Sequence, residues 1–229
     1  MFFFFDSTIW LVLLGIALCA IASANVSRTY RVYSKMRNKG GQSAAKIAQM
    51  ILEYAGIHDV GVAETQGNLT DHYDPRSKMV YLSEAVYSSD SVAAIGVAAH
   101  ECGHAIQHKE GFLPLKLRSV LVPVVNIGSF LSWPIILIGI LIGSLNLVHF
   151  GILLFSAILV FQIATLPVEF NASVKALRFL EENDILIGEE ITGARKVLNA
   201  AAMTYVTATL ATALQLLRMF LLFGRRRRN

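Results

Sequence analysis

The sequence predicts a mainly α membrane protein, with three to four transmembrane helices and a small α+β domain that contains a short sheet. Of the 229 residues, 55% are hydrophobic and 16% are charged, and the mean hydropathy is +0.55, whereas soluble domains carry about 25% charged residues. A membrane span requires about 20 apolar residues, and the chain holds three or four such runs. These runs leave roughly 100–150 residues for one water-facing domain.

The basic residues are concentrated in two segments. The formal net charge is +4, and it comes largely from residues 28–46 and from the terminal run 225–228. Basic blocks beside apolar runs are typical of membrane topology signals and lipid headgroup contacts. No basic face interleaved with aromatic residues accompanies them, so we expect no nucleic-acid partner. Two cysteines, Cys19 and Cys102, indicate no disulfide framework.

Residues 1–27 are predicted to form an N-terminal transmembrane anchor. The apolar run at residues 8–24 follows Asp6 without any preceding Lys or Arg, which is not the pattern of a cleaved signal peptide. The basic block after this run places the N-terminus outside and the chain from Arg28 onward in the cytoplasm. The aromatic run 2–5 is predicted to be an interfacial anchor.

Residues 28–118 are predicted to form the water-facing domain. A first helix, capped by Ser43, is expected to run to about Tyr54 because its apolar residues recur at helical spacing. Residues 59–82 are predicted to form β-structure, with a turn-rich stretch at 68–75. A second helix is expected from about residue 91 to residue 109. It would be preceded by N-cap candidates and followed by breakers, namely Ser88, Ser89, Asp90, Gly111 and Pro114.

Residues 119–168 are predicted to form a transmembrane hairpin. Two apolar runs, 120–142 and 147–168, are each long enough to cross a bilayer, and the short linker at 144–146 is uncharged. The hairpin therefore turns outside and returns the chain to the side from which it left. Residues 169–199 regain mixed polarity and are predicted to be helical.

The segment 200–229 contains most of an apolar helix, predicted at roughly 194–223, and the basic tail. If this helix crosses the membrane, the run 225–228 lies outside, contrary to the positive-inside rule. Alternatively, only residues 214–223 contact lipid while the Ala-rich half packs on the water-facing domain, and Arg218 in the apolar half favours this arrangement. The sequence leaves both arrangements open.

Residues 100–104 read His-Glu-Cys-Gly-His, the H-E-x-x-H pattern, within the second predicted helix. At 100° per residue, His100 and His104 project from one helix face one turn apart, so that both imidazoles can bind a single Zn²⁺. Glu101 lies beside the metal, where it can accept a proton from metal-bound water. The pattern predicts a zincin-like catalytic domain with one zinc ion per chain.

Neighbours of this motif are assigned other roles. Cys102 is predicted to point away from the ligand face into the core, and Gly103 to leave space beside the second ligand. His108 lies two helical turns from His100, too far for comfortable coordination of the same ion, and is expected to be a polar helix-end or ligand-orienting residue. Glu110, where a metzincin would carry His, is predicted to be a solvated carboxylate at the helix end.

A third protein ligand is expected, because catalytic zinc sites use three and leave one position open. Glu169 is the preferred candidate, since it follows Pro167 at the end of an apolar run and is predicted to begin a new helix. An isolated carboxylate beside a span is costly unless it is paired or coordinated. The alternative is a carboxylate that caps the helix or reaches water. Asn171 and Ser173 are predicted to orient a ligand.

Other residues are candidates for substrate binding and transition-state stabilisation. The group that stabilises the oxyanion is sought among His72, Tyr73 and Arg76, although residues 71–75 also fit a simple turn fixed by Asx side chains. Residues 78–83 are predicted to be an edge strand that pairs with an extended substrate, with an interior strand as the alternative. Tyr205 is either an oxyanion donor or a packing residue.

Four segments carry a resemblance to a known family: residues 68–75, 80–83, 99–108 and 166–173. With these segments the chain resembles the YugP-like family of bacterial membrane zinc metallopeptidases, in the gluzincin group that includes HtpX-like and CAAX prenyl proteases. The resemblance implies the same ligands and base: His100, His104, Glu169 and Glu101. In HtpX-like relatives an Asp follows the third ligand after four residues, and here that position is Ser173.

These observations predict a multi-pass zinc endopeptidase of the bacterial cell (inner) membrane with a cytoplasmic catalytic domain. Peptide bonds would be hydrolysed by Glu101-assisted attack of zinc-bound water, without a covalent acyl-enzyme. The expected substrates are membrane-associated or misfolded proteins and peptides. Two alternatives are a non-catalytic scaffold with a structural zinc, in which His108 would be a fourth ligand, and an intramembrane site-2-type protease, which the absence of a Leu-Asp-Gly motif disfavours. The oligomeric state is left open.

Overall fold

The computed structural model of the protein describes residues 6–224. In chain order its helices are α1 Ile9–Tyr33, α2 Ala44–Tyr54, α3 Glu84–Tyr87, α4 Val92–Glu110, α5 Leu113–Leu141, α6 Leu145–Glu182 and α7 Glu189–Phe223. The strands are β1 Gly61–Thr65, β2 His72–Asp74 and β3 Met79–Ser83. The aromatic run 2–5 and the basic run 225–228, to which the sequence assigned an interfacial and a topological role, lie outside the described residues.

Four helices are long and apolar enough to cross a membrane, namely α1, α5, α6 and α7. The fold is thus that of a mainly α membrane protein with a small sheet, as the sequence predicts. The last helix is among these candidate spans. Helix α4, which carries the H-E-x-x-H motif, is not among the candidate spans found in residues 6–224.

The described chain divides into two compact units. A helical unit contains residues 6–23, 116–166 and 203–224, and an α+β unit contains residues 24–115 and 167–202. The α+β unit holds the sheet, α2, α3, α4 and the polar parts of the remaining long helices.

Helix α6 continues without a break through Pro167 to Glu182, so the prediction that a new helix begins at Glu169 is wrong. Proline lacks an N–H donor and normally kinks or breaks a helix when it lies in the interior. Apolar helices of membrane proteins tolerate it, because neighbouring groups satisfy the carbonyl that is released. Helix α5 contains two further prolines, Pro123 and Pro134, and is likewise continuous.

The sheet has the order β1–β3–β2, with β1 parallel and β2 antiparallel to β3. The prediction of an edge strand at residues 78–83 is therefore wrong, because β3 is bonded on both sides and its Val80 and Leu82 are fully buried. Strand β2 lies inside the stretch that the sequence indicated as a turn. Asp71 explains this, since its carboxylate accepts hydrogen bonds from the backbone N–H (2.7 Å) and the hydroxyl of Ser83 and so ties β2 to β3.

The boundaries of α2 and α4 follow local capping rules. Ser43 caps α2 by accepting a hydrogen bond from the N–H of Lys46, as predicted. Helix α4 is capped by Ser91, whose Oγ accepts from the N–H of Ala94 (3.2 Å). The predicted caps Ser88, Ser89 and Asp90 are therefore wrong: they lie between α3 and α4, where Ser89 Oγ donates to Ser91 Oγ. Gly111 ends α4 with φ +66°, a left-handed conformation that favours glycine.

The helical unit contains an ion pair between a buried arginine and a partly exposed aspartate. Arg218 on α7 is 4% exposed and donates a hydrogen bond to Asp6 Oδ2 at 2.7 Å. Close contacts between small residues also join α1 to α7, since a Cβ added at Gly15 would lie 3.0 Å from the Cβ of Ala211. The charge of Arg218, which the sequence analysis used to favour partial insertion of α7, is thus neutralised inside this unit.

Candidate metal centre

Helix α4 and helix α6 bring two imidazoles and a carboxylate together in the α+β unit. The Nε2 atom of His100 lies 3.3 Å from Glu169 Oε2, and the Nε2 atom of His104 lies 3.8 Å from the same oxygen. One ligand atom from each residue lies within 4.8 Å of the others. The exposed fractions of the three side chains are only 16%, 12% and 3%, respectively. The three ligands that the sequence predicts are therefore neighbours.

Gly103 permits the close approach of the two helices. A Cβ added at Gly103 would lie 2.5 Å from the carbonyl oxygen of Ala172 on α6. The missing side chain of Gly103 leaves space beside the second ligand, as predicted, and the backbone of α6 occupies that space. This contact holds α4 against the helical turn that carries Glu169.

The remaining nitrogen of each imidazole is also engaged. His100 Nδ1 lies 3.0 Å from Ser173 Oγ, and His104 Nδ1 lies 3.0 Å from Gln107 Oε1. The amide nitrogen of Gln107 in turn donates to Asn171 Oδ1 at 2.9 Å. Ser173 thus contacts a predicted ligand directly, whereas Asn171 reaches one only through Gln107. Sequence reasoning missed Gln107, although its position three residues after His104 on one helix face was a usable signal.

The donor set fits a zinc ion. Zinc binds His nitrogen at about 2.0–2.1 Å and carboxylate oxygen at about 2.0–2.2 Å, so tetrahedral ligand atoms lie roughly 3.3–3.5 Å apart. The two Nε2–Oε2 separations are close to this value. Polar partners at both Nδ1 atoms are the usual arrangement for metal-binding imidazoles, because they fix the ring orientation. His100, His104 and Glu169 could therefore hold the ion.

Glu101 is buried beside this cluster and is held by β2. Its Oε2 accepts a hydrogen bond from the backbone N–H of Tyr73 at 3.0 Å, and its exposed fraction is 9%. Burial raises the pKa of the Glu101 carboxyl, while the charge of His100 acts in the opposite direction. A raised pKa is the direction that favours general acid–base chemistry by a carboxyl group.

The oxyanion candidates His72, Tyr73 and Arg76 lie on β2 or directly after it. The hydroxyl of Tyr73 lies 2.8 Å from His108 Nδ1. His72 is exposed and stacks on Tyr81, with ring centroids 5.0 Å apart. Within the described chain, the cluster that could hold a metal does not include His108 or His72. The backbone N–H of Arg76 donates to Asp74 Oδ1 at 2.9 Å. This hydrogen bond forms an Asx turn at Asp74, within the stretch where the sequence predicts one.

Other predicted residues have simpler surroundings. Cys102 is fully buried and its thiol donates to the carbonyl of Ala48, as expected for a core residue, and burial raises the pKa of this thiol. Cys19 is also a free thiol. Glu110 forms an ion pair with Lys175 at 2.7 Å. Tyr205 belongs to the helical unit and is 40% exposed.

Comparisons with known proteins agree with this chemistry. The family described as "Putative neutral zinc metallopeptidase" matches residues 8–224 of the chain. The chain is also 44% identical over 215 residues to a Bacillus subtilis (strain 168) protein named "Putative membrane protease YugP". That similarity covers 94% of this chain and 96% of the relative. No solved structure matches the chain.

Proposed function

This chain belongs to the family described as "Putative neutral zinc metallopeptidase", and on that premise we propose that it is a membrane-bound, zinc-dependent endopeptidase. The observation that carries the proposal is the convergence of His100, His104 and Glu169 beside the buried carboxyl group of Glu101. Three protein ligands and an adjacent carboxylate are the arrangement of a catalytic zinc site rather than of a closed structural one.

Each residue of the centre has one role in this proposal. His100, His104 and Glu169 hold the ion, which supplies Lewis-acid activation of water and of the scissile carbonyl group when it is bound. Glu101 accepts a proton from the attacking water and delivers it to the leaving amine, so no covalent acyl-enzyme forms. The N–H of Tyr73 holds the Glu101 carboxylate in place for both transfers.

The substrates we propose are membrane-associated or misfolded proteins and peptides. Four candidate spans keep the chain in a membrane, and the relative with 44% identity is named as a membrane protease. Strand β2, rather than β3, is the edge strand that is tied to Glu101, so it is the better place for an extended peptide to pair. The basic residues of the segment 28–46 favour a cytoplasmic α+β unit. The Bacillus subtilis relative favours the bacterial cell (inner) membrane as its location.

Neither alternative function is favoured by a specific contact. A closed structural site needs a fourth protein ligand, and the candidate for it, His108, is bonded to Tyr73 instead. A site-2-type protease carries its motif on a membrane span, whereas α4 is not one of the candidate spans within residues 6–224. We therefore retain the peptidase as the proposed function.

Two variants test this proposal in full-length protein purified in detergent. Wild type is expected to hold about one zinc per chain by elemental analysis, and Glu169→Ala to hold markedly less, because a ligand is lost. Glu101→Gln is expected to keep its zinc and to lose cleavage of an unfolded reporter protein, because the amide cannot accept the proton. Glu53→Gln, at an exposed position of α2, is the matched control.

The outcomes distinguish the zinc peptidase from the alternatives. Full zinc content in Glu169→Ala contradicts the three-ligand site. Cleavage that survives in Glu101→Gln while zinc is retained contradicts the role of Glu101. Zinc in wild type without any cleavage of unfolded or membrane-embedded reporters favours the structural scaffold.

A further inference from the structure

Gln107 on α4 is an uncharged polar side chain that is completely buried, with an exposed fraction of 0%. Its amide nitrogen donates two hydrogen bonds, to the backbone carbonyl of Val168 at 2.8 Å and to Asn171 Oδ1 at 2.9 Å. Its amide oxygen faces His104 Nδ1 at 3.0 Å. Burial of an amide is costly without such partners, so this arrangement requires a full set of bonds.

The contact with Val168 determines which way the amide points. A backbone carbonyl only accepts hydrogen bonds, so the atom of Gln107 that faces it must be the –NH₂ nitrogen. The amide oxygen is then directed at His104. A rotated amide would place two oxygens against each other at Val168 and would leave a donor facing the imidazole.

The orientation of the amide also determines the state of the His104 ring. The oxygen of Gln107 is an acceptor, so His104 Nδ1 must carry the hydrogen. In the neutral imidazole the lone pair is then on Nε2, and Nε2 is the atom that faces Glu169 Oε2. Lone pairs from both groups thus point into the same space, which is the arrangement that a metal ion requires.

His100 is held differently. Its Nδ1 contacts the hydroxyl of Ser173, and a hydroxyl can either donate or accept. Ser173 therefore stabilises the position of the ring without imposing one tautomer. Of the two imidazoles, only that of His104 has its tautomer imposed by its partner, the amide oxygen of Gln107.

Gln107 also connects the two ligand-bearing helices. Its partners on α6, Val168 and Asn171, lie on either side of Glu169 in the sequence. One side chain thereby contacts the second imidazole ligand and the turn that presents the third ligand. Gln107 therefore joins α4 to α6 on the side of the proposed ligands.

We propose that Gln107 is a positioning residue for the metal centre, which fixes the tautomer and orientation of His104. This inference rests on the proposed zinc site, because a tautomer that exposes Nε2 matters only if Nε2 binds an ion. Gln107 touches neither substrate nor metal in this proposal and acts only through His104.

Two substitutions at this position separate positioning from simple packing. Gln107→Met keeps the length and apolar volume of the side chain but removes all three bonds. Gln107→Glu keeps an acceptor for His104 Nδ1, although its carboxylate meets the carbonyl of Val168 unfavourably. We expect zinc affinity, measured by chelator competition on full-length protein in detergent, to fall about 10–100-fold in Gln107→Met and to recover largely in Gln107→Glu.

A merely structural role predicts no recovery of zinc affinity in Gln107→Glu. If Gln107 only fills space and joins α4 to α6, Gln107→Glu binds zinc no better than Gln107→Met, because the carboxylate repels the Val168 carbonyl. That result would overturn the proposal. The visible absorption of the Co²⁺-substituted proteins provides a second readout, and we expect bands like those of wild type in Gln107→Glu and altered bands in Gln107→Met.

Further variants keep failure of folding and failure of the metal site distinguishable from failure of this inference. Gln49→Met, at an exposed position on α2, is the matched control for the substitution itself. Thermal unfolding of the metal-free proteins shows whether Gln107→Met still folds, and if it does not, Gln107→Glu alone must retain zinc affinity within about tenfold of wild type. Absence of zinc binding in wild type refutes the proposed metal site, whereas wild-type affinity in Gln107→Met refutes only the role of Gln107.

Discussion

The two units bury charged groups in different ways. In the helical unit, Arg218 and Asp6 form a direct ion pair in which opposite charges neutralise each other. In the α+β unit, the carboxylate of Glu169 faces two imidazole nitrogens instead of a permanent cation. The first arrangement is complete within the chain, while the second is a set of electron-pair donors that a metal ion would complete. A buried charge therefore indicates a metal site when its neighbours are also electron-pair donors, and not when its neighbour is a cation.

Metal removal is the most direct way to break this comparison. We expect chelation to lower the free energy of unfolding of the α+β unit by about 4 kcal/mol when zinc is about 1,000-fold above its dissociation constant, because only the folded site binds the ion. Hydrogen exchange should then increase in α4 and in residues 167–182 but not in residues 9–23 of α1. Mass spectrometry of the full chain in detergent measures both segments. Equal increases in both units would contradict the distinction.

Disruption of the ion pair tests the other unit. Arg218→Leu leaves the carboxylate of Asp6 without its cation, and we expect a loss of about 2 kcal/mol in stability, because Asp6 is only partly buried. The double variant Asp6→Asn/Arg218→Leu should recover most of that loss, because no uncompensated charge remains. Unfolding in mixed detergent and SDS micelles measures both values.

The zinc content of the Arg218 variants is the complementary measurement. We expect it to equal that of wild type, since the pair lies in the helical unit and the proposed ligands lie in the α+β unit. A parallel loss of zinc in Arg218→Leu would show that the ion pair supports the metal centre, and the comparison would then need revision.

A pair of glycines on α4 sharpens the account of how the centre is assembled. Gly103→Ala places a Cβ 2.5 Å from the carbonyl oxygen of Ala172, so the two helices must separate, at a cost of about 2 kcal/mol. We expect zinc affinity to fall as well, because Glu169 lies on the helix that is displaced. Chelator competition and thermal unfolding measure the two effects.

Gly96→Ala is the matched control on the same helix. A Cβ at Gly96 would lie 3.5 Å from the Cβ of Ala194, which is an ordinary contact distance. We expect unchanged zinc affinity and a gain of up to about 1 kcal/mol, because Ala is the better helix former. An equal loss of affinity in both variants would mean that the close approach at Gly103 is not the cause.

Features that depend on local sequence were predictable. The apolar runs that become the four candidate spans follow from composition, and the spacing of His100 and His104 follows from the helical repeat. The end of α4 at Gly111 follows from the preference of glycine for the left-handed conformation. Glu169 could be selected because an isolated carboxylate beside an apolar run is costly without a partner.

Features that depend on packing between distant segments were not predictable. The central position of β3 arises from a parallel partner and an antiparallel one that lie elsewhere in the chain. The role of Gly103 depends on the backbone of α6, and the role of Gln107 depends on the carbonyl of Val168, 61 residues away. No local rule places these groups together. The sequence predicts the proposed ligands better than the residues that hold them.

The smallest expected effect concerns the strand that holds Glu101. Asp71→Asn removes the charge from the hydrogen bonds to Ser83 while one acceptor remains, so we expect a loss of about 1 kcal/mol in stability. Because β2 follows Asp71 directly and supplies the N–H of Tyr73 to Glu101, cleavage should decrease while zinc content stays at the wild-type level. Glu182→Gln, which affects an exposed pair with Arg178 at the end of α6, is the control that should leave both unchanged. Loss of zinc in Asp71→Asn would instead link β2 to the ligands themselves, whereas unchanged cleavage would mean that the Tyr73 contact does not set the position of the base.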